Sequence, residues 1–388
     1  MSFPAGFLWG ASTAAHQIEG QNTSSDWWAR EHTPGSTISE LSGDACDSYH
    51  RYPQDMALLA DAGLNAYRFS VEWARIEPVE GEFSRAQIAH YRRMVETCHE
   101  LGLAPMVTLH HFTNPQWFAA DGGWRSPKAL DRFARYVDAL TPIIGDGVDW
   151  VCTINEPNIA AMMARTSTGD GDAELTAGSL PAPDPDVADA LTAAHHRAVE
   201  QVRAVGPRAG WAVATQAFEA LPGGEERLTE YAWPRERVFL DAAKGDDFIG
   251  VQAYTRTFVT ADGPLPPADD VEKTLTGWEY WPDALAAGIA LAWELTDGVP
   301  VVVTENGIAT ADDSRRIDYT TGALRGVQAQ LDAGVDVRGY LHWSALDNYE
   351  WGSYGPTFGL VAVDRTTFER TPKPSLAWLG GIARANGL

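Results

Sequence analysis

The stretch Trp150-Val151-Cys152-Thr153-Ile154-Asn155-Glu156-Pro157 is a short apolar run, partly β-branched, that ends in an amide, a carboxylate and a proline. Its length and residue types read as a buried strand. A second stretch has the same form, with Val299-Pro300-Val301-Val302-Val303 leading into Thr304-Glu305-Asn306-Gly307. A carboxylate leaving the end of such a strand cannot stay unpaired in an apolar core, so each glutamate must line an opening.

Outward from these two runs, similar segments recur along the whole chain. Strands are expected over Phe7–Ser12, Ala66–Val71, Ala104–Leu109, Trp150–Ile154, Trp211–Thr215, Phe248–Ala253, Val299–Thr304 and Arg338–His342. Helical spacing lies between them. One helix is expected from Ser84 to Leu101, with Ile88, Tyr91, Val95 and Cys98 on one face and Gly102 as its stop. Another has Pro53 near its start, Met56 and Leu59 inside, and Gly63 past its end. Leu191–Ala204 and Leu324–Ala333 close at Gly206-Pro207 and Gly334.

Eight strands alternating with helices, with no linker, predict an α/β protein: a single (β/α)8 TIM barrel spanning residues 1–388. A doubly wound sheet would need a glycine-rich phosphate turn after its first strand, and Phe7–Gly20 has none. A barrel gathers the C-terminal strand ends on one face. Gln17, Arg68, His111, Asn155, Glu156, Tyr254, Glu305 and Trp343 all fall at such ends. Thr166–Asp186 and Ala261–Asp270, rich in Gly, Pro and Asp, read as surface loops at the rim.

Composition narrows the function. The formal net charge of −24 repels phosphate backbones and anionic lipid, so neither nucleic acid nor a membrane surface is an expected partner. The 15 Trp and 12 Tyr provide flat faces with polar edges, which suit a small sugar ligand. Cys46, Cys98 and Cys152 are widely spaced and odd in number, without disulfide or metal spacing, which fits a reducing compartment. Met1–Phe7 has no basic segment followed by a long apolar run, so a cytoplasmic location is expected.

Two carboxylates at one pocket are the minimum equipment for hydrolysing a glycosidic bond. Other chemistries find less support. His110-His111 and His195-His196 lack HExxH or carboxylate-His spacing, so no metal and no other cofactor is expected, and the second pair reads as packing or surface. A barrel lyase or aldolase would need a Schiff-base lysine, yet Lys128, Lys244, Lys273 and Lys373 all avoid the strand ends. A non-catalytic sugar-binding barrel is the main alternative. Oligomeric state has no signal in the sequence.

At these residues the chain resembles glycoside hydrolase family 1, the β-glucosidase and β-galactosidase family. The resemblance starts at Phe7-Leu8-Trp9-Gly10-Ala11-Ser12-Thr13-Ala14 and Gln17-Ile18-Glu19-Gly20, and continues through Tyr67-Arg68-Phe69-Ser70, Trp73 and Arg75-Ile76. It includes both glutamate segments and closes on Trp343 to Trp351 and Phe358-Gly359. The form Asp347-Asn348-Tyr349-Glu350-Trp351 is closer to archaeal-type members.

The resemblance implies roles by position. Glu156 is the expected acid/base, Glu305 the nucleophile, and Asn155 the partner of the sugar 2-hydroxyl. Gln17, His111 and Glu350 would ring the sugar, Trp343 and Trp351 would supply its aromatic platform, and Arg68 and Tyr254 would keep Glu305 ionised and aimed. The implied reaction is retaining, exo-acting hydrolysis of non-phosphorylated β-D-glucosides, galactosides or fucosides, with carboxyl groups about 5 Å apart. The negative charge of Glu305 is expected to hold the proton on Glu156.

Two departures stand out. Gln252-Ala253-Tyr254 replaces the family's Asn-Tyr-Tyr, and Phe112 replaces a Trp. The chain is also short around Thr166–Asp186 and between Gln216 and Phe248, which is expected to leave the leaving-group side of the pocket more open.

Overall fold

The computed structural model describes residues 2–145, 147–166 and 181–388. All eight apolar segments form strands, and the strands close into one parallel barrel. They are β1 (Leu8–Ser12), β2 (Ala66–Ser70), β3 (Ala104–His110), β4 (Trp150–Asn155), β5 (Arg208–Thr215), β6 (Ile249–Ala253), β7 (Val301–Glu305) and β8 (Val337–Trp343). Each pairs with its sequence neighbours, and β8 returns to β1 from Leu8↔Gly339 to Ser12↔Trp343. β7 starts only after Pro300, which has no N–H for the ladder.

Alternation along the strands sorts side chains between two cores. Leu8, Met106, Trp150, Cys152, Ala212, Phe248, Val302 and Leu341 pack together in one cluster inside the barrel. Val107, Val151, Val213, Val251, Val301 and Val303 belong to a larger cluster with the helices. The interior is tight enough to need glycine. A Cβ on Gly250 would lie 2.8 Å from the Ala212 Cβ and 2.9 Å from the Thr304 Cγ2.

The principal outer helices are α1 (Ser48–Ala62), α2 (Arg85–Glu100), α3 (Ala129–Ala139), α4 (Pro157–Thr166), α5 (Pro185–Val205), α6 (Ala284–Leu295), α7 (Asp313–Asp332) and α8 (Pro374–Ala385). α2 begins as its sequence predicts, with the Ser84 hydroxyl accepting from Gln87 N. Three helix starts differ from expectation. Pro53 lies inside α1, five residues beyond Ser48. The turn before it is held by side chains instead, with Asp47 accepting from His50 and Arg51 and Ser48 donating to Asp55.

α5 starts at Pro185, earlier than Leu191, because the Asp184 carboxylate accepts from Val187 N and proline suits the first helical position. The expected loop over Thr166–Asp186 therefore ends by Asp184, and its residues 167–180 lie outside those described. α7 starts at Asp313, well before Leu324. Its polar first half shows no apolar period, yet buried Arg316 pairs with Asp313 and donates to the carbonyls of Thr310 and Thr357. Within Ala261–Asp270, Gly263–Pro264 pairs antiparallel with Thr257–Thr260. No helix among the described residues is long and apolar enough to cross a membrane.

After β8 the chain forms a short antiparallel pair, Val361–Val363 with Arg370–Pro372. Arg370 fastens it to α1, with Nε 2.7 Å from Asp55 Oδ1 and Nη2 donating to Cys46 O at 2.7 Å. Both side chains are buried. Asp55→Ala leaves a buried guanidinium unpaired and is expected to lower the urea unfolding midpoint by the equivalent of about 3–5 kcal/mol. Adding Arg370→Met should recover most of that loss; no recovery would show that the pair is not what Asp55 contributes.

Candidate active site

Both glutamates stand where the barrel ladder is irregular. The β4–β5 register shifts between Cys152 and Asn155, and the β7–β6 register shifts between Val303 and Glu305, which lies opposite Gln252. Such irregularities re-aim side chains at a barrel rim. Glu156 then leaves β4 with φ +43°, its N–H bonded to Ala212 O at 2.8 Å and its carbonyl accepting from Ala160 N in α4. Phe112 and Trp351 are also left-handed, at φ +64° and +49°. Each such non-glycine residue costs on the order of 1–3 kcal/mol, and strain of this kind gathers at functional sites.

Arg68, fully buried on β2, reaches across to β4 and β7. Its Nη1 lies 2.6 Å from Glu305 Oε1, and its Nη2 donates to Asn155 Oδ1. The Tyr254 hydroxyl donates to Glu305 Oε2 at 2.7 Å, and Tyr254 is in turn fixed by Tyr319, whose hydroxyl donates to its carbonyl at 2.7 Å. Both oxygens of Glu305 are thus held. Among the described residues, no group hydrogen-bonds the Glu156 carboxyl. Gly307 lets this segment pass against β8, since a Cβ there would run into Trp343 O.

Burial pushes the Glu305 pKa up, and Arg68 and Tyr254 pull it back without fully offsetting that effect. Both partners thus favour the ionised form of Glu305, against the penalty of burial. Glu156 is raised much further, by burial first, then by the charges of Glu305 and Glu350. Desolvation therefore outranks the neighbouring carboxylate as the cause. Glu305 ionises first of the two.

The expected polar ring assembles as a connected set. Gln17, buried on the short helix Ala15–Ile18, donates to Asn348 Oδ1, Tyr349 O and Glu350 Oε2 at 3.0, 2.9 and 3.2 Å. Trp343 Nε1 donates to Glu350 Oε1 at 3.2 Å. Burial pushes Glu350 up to about 8. The His111 ring lies nearly parallel to Trp343 and Trp351, with centroids 6.1 Å from each. Burial also holds His111 well below the usual histidine range, so its ring is neutral.

Gln252, a departure already visible in the sequence, donates through Nε2 to Asn155 Oδ1 at 2.8 Å. Other contributors escape sequence reasoning. His16 stacks on Trp351 at 5.7 Å, and Trp27 meets its edge at 5.0 Å. Trp278, 39% exposed, packs 5.6 Å from the Tyr254 ring. The heavy Trp content was the only signal for Trp27 and Trp278, because neither sits at a strand end. A cavity of about 380 Å³ adjoins this group through Trp27 and Phe112.

His195 is a buried packing residue, bonded to Thr153 Oγ1 at 2.7 Å, 3.0 Å from Asp246 and stacked on Trp211. Among the described residues, no group of three His, Cys, Asp or Glu side chains is placed to hold a metal.

The family model for glycosyl hydrolase family 1 matches residues 1–261 and 247–388. A thermostable β-glucosidase B from Thermobispora bispora is 33% identical over 450 aligned residues, covering 100% of this chain and 92% of the relative. A bifunctional β-D-glucosidase/β-D-fucosidase from Bifidobacterium breve is 33% identical, covering 97% of each. The crystal structure of β-glycosidase BGL167 superposes with a TM-score of 0.91 at 44% identity, covering 100% of this chain and 98% of that one. These matches run through both carboxylate segments on the same closed barrel, and the chain belongs to glycosyl hydrolase family 1.

Proposed function

We propose that this O-glycosyl hydrolase is a retaining, exo-acting β-glycosidase that removes terminal β-D-glucosyl residues, with Glu305 as nucleophile and Glu156 as acid/base. The observation that carries the reading is an asymmetry. Glu305 has both oxygens held by Arg68 and Tyr254, whereas Glu156 is unbonded among the described residues and has the higher pKa. One carboxyl is fixed and ionises first; the other keeps its proton and is free to pass it on.

In the first step a Glu305 oxygen bonds to the anomeric carbon, the bond to the leaving oxygen breaks, and Glu156 gives that oxygen its proton. Esterification removes the charge of Glu305, so the pKa of Glu156 falls. Glu156 then takes a proton from water as the water attacks the glycosyl ester. Two inversions give net retention, which requires carboxyl groups about 5 Å apart.

In this reading Asn155 bonds the sugar 2-hydroxyl. Gln17, His111, Trp343, Glu350 and Trp351 hold the remaining hydroxyls and ring face. Glu350 offers acceptors and no cation, which favours neutral sugars over phosphorylated ones. The names of the relatives support glucosides first, with fucosides as further substrates. The exposed face of Trp278 beside Tyr254 suits an aglycone. The alignment with the Thermobispora enzyme spans 450 positions against 388 residues here, so this chain lacks segments that the relative carries. Buried, unpaired Cys46, Cys98 and Cys152 support a reducing, cytoplasmic setting.

Glu305→Gly is expected to lose turnover of aryl β-D-glucosides and, with azide added, to yield the α-glucosyl azide, identified by NMR. Glu156→Ala should lower kcat/KM by about 10²–10⁴-fold for a poor leaving group and far less for dinitrophenolate. A β-azide from the Glu305 variant, or equal losses for both leaving groups, would overturn the assignment.

The pH profile follows from the two raised pKa values. Activity should fall at high pH as Glu156 loses its proton, and at low pH as Glu305 gains one. Glu305→Gln removes one charge that raises Glu156, so the Glu156 titration followed by carbon-13 NMR should move down. An unmoved titration would separate the two carboxyls electrostatically.

A further inference from the structure

Gln252 is completely buried on β6 and faces the strand that ends in Glu305. Its Nε2 donates to Asn155 Oδ1 at 2.8 Å, and the same oxygen accepts from Arg68 Nη2. A guanidinium has only donors, so Arg68 can meet only the oxygen side of the Asn155 amide. With two donors on Oδ1, the amide must turn its Nδ2 the other way, toward His111 Nε2 at 3.2 Å. Neutral His111 accepts one of the two N–H groups, and the second remains for a ligand.

The other half of the Gln252 amide is not used in this way. Its Oε1 is buried with no partner among the described residues, an arrangement that packing alone would not favour. A glutamine held half-satisfied, with its donor on a residue of the sugar site, points to a role in that site.

We propose that Gln252 is a positioning residue, which fixes the Asn155 amide so that Nδ2 presents its free N–H to the sugar 2-hydroxyl. Arg68 alone is an uneven support, because its hold on this corner is shared with Glu305, whose charge disappears in the glycosyl ester. The Gln252 bond is neutral and does not change with that charge. It keeps the Asn155 amide oriented through both chemical steps. This inference rests on the reading of Asn155 as the partner of the 2-hydroxyl.

The test compares kcat and KM for an aryl β-D-glucoside and its 2-deoxy analogue in wild type, Gln252→Met, Gln252→Asn and Asn155→Ala. Gln252→Met should lower kcat on the glucoside by about 10-fold and leave the 2-deoxy substrate within about 2-fold, as expected for one hydrogen bond. Gln252→Asn, which restores an amide, should recover part of the loss, and Gln252→Met should add nothing in the Asn155→Ala background.

Equal losses on both substrates, or a loss that persists in the Asn155→Ala background, would overturn the inference. If Asn155→Ala discriminates between the substrates and Gln252→Met does not, the inference fails and the reading of Asn155 stands. If Asn155→Ala does not discriminate, that reading fails and takes this inference with it.

Discussion

The site is organised around one buried cation. Arg68 is removed from water at the top of the barrel, and a guanidinium so placed is tolerable only if its charge is compensated. It is matched by Glu305 from β7 and Asn155 from β4, two strands that are not neighbours of β2. The ion pair therefore spans the barrel interior and sets Glu305 and Asn155, the proposed nucleophile and 2-hydroxyl partner, relative to each other. Barrel closure supplies the cation and its two partners; no single βα unit could.

The same cation governs the protons. Glu156, Glu305 and Glu350 act on one another electrostatically close to the Arg68 guanidinium, and burial penalises every ionised carboxyl. The one nearest Arg68 has the best claim to a charge. The other two are pushed upward, Glu350 to about 8 and Glu156 well above the usual carboxylate range. Chemically identical side chains thereby acquire different protonation behaviour, as the proposed acid and nucleophile require. The left-handed backbone at Glu156, Phe112 and Trp351 shows local conformational cost accepted at the same place.

The strands were legible because a buried parallel barrel demands short, continuous apolar runs, and these stand out against helical spacing. Helix starts were less legible. Pro53 reads as a first-turn residue, yet α1 begins before it because Asp47, Ser48 and Asp55 tie the preceding turn through side chains remote from any periodic pattern. The opening of α7 was hidden for a related reason, since Arg316 holds it by contacts to Thr310 and Thr357.

The sequence by itself determined the strand and carboxylate pattern, the candidate residues at the strand ends, and a surface charge unsuited to anionic partners. These are local or additive properties, written in residue type and spacing. Tertiary structure decided which donors meet Asn155 Oδ1, that burial outweighs Arg68 in shifting Glu305, and that Trp27 and Trp278 pack on Trp351 and Tyr254. Those outcomes depend on desolvation and on distances between strands far apart in the chain. Spacing along a chain carries neither quantity, and only closing the barrel fixes them.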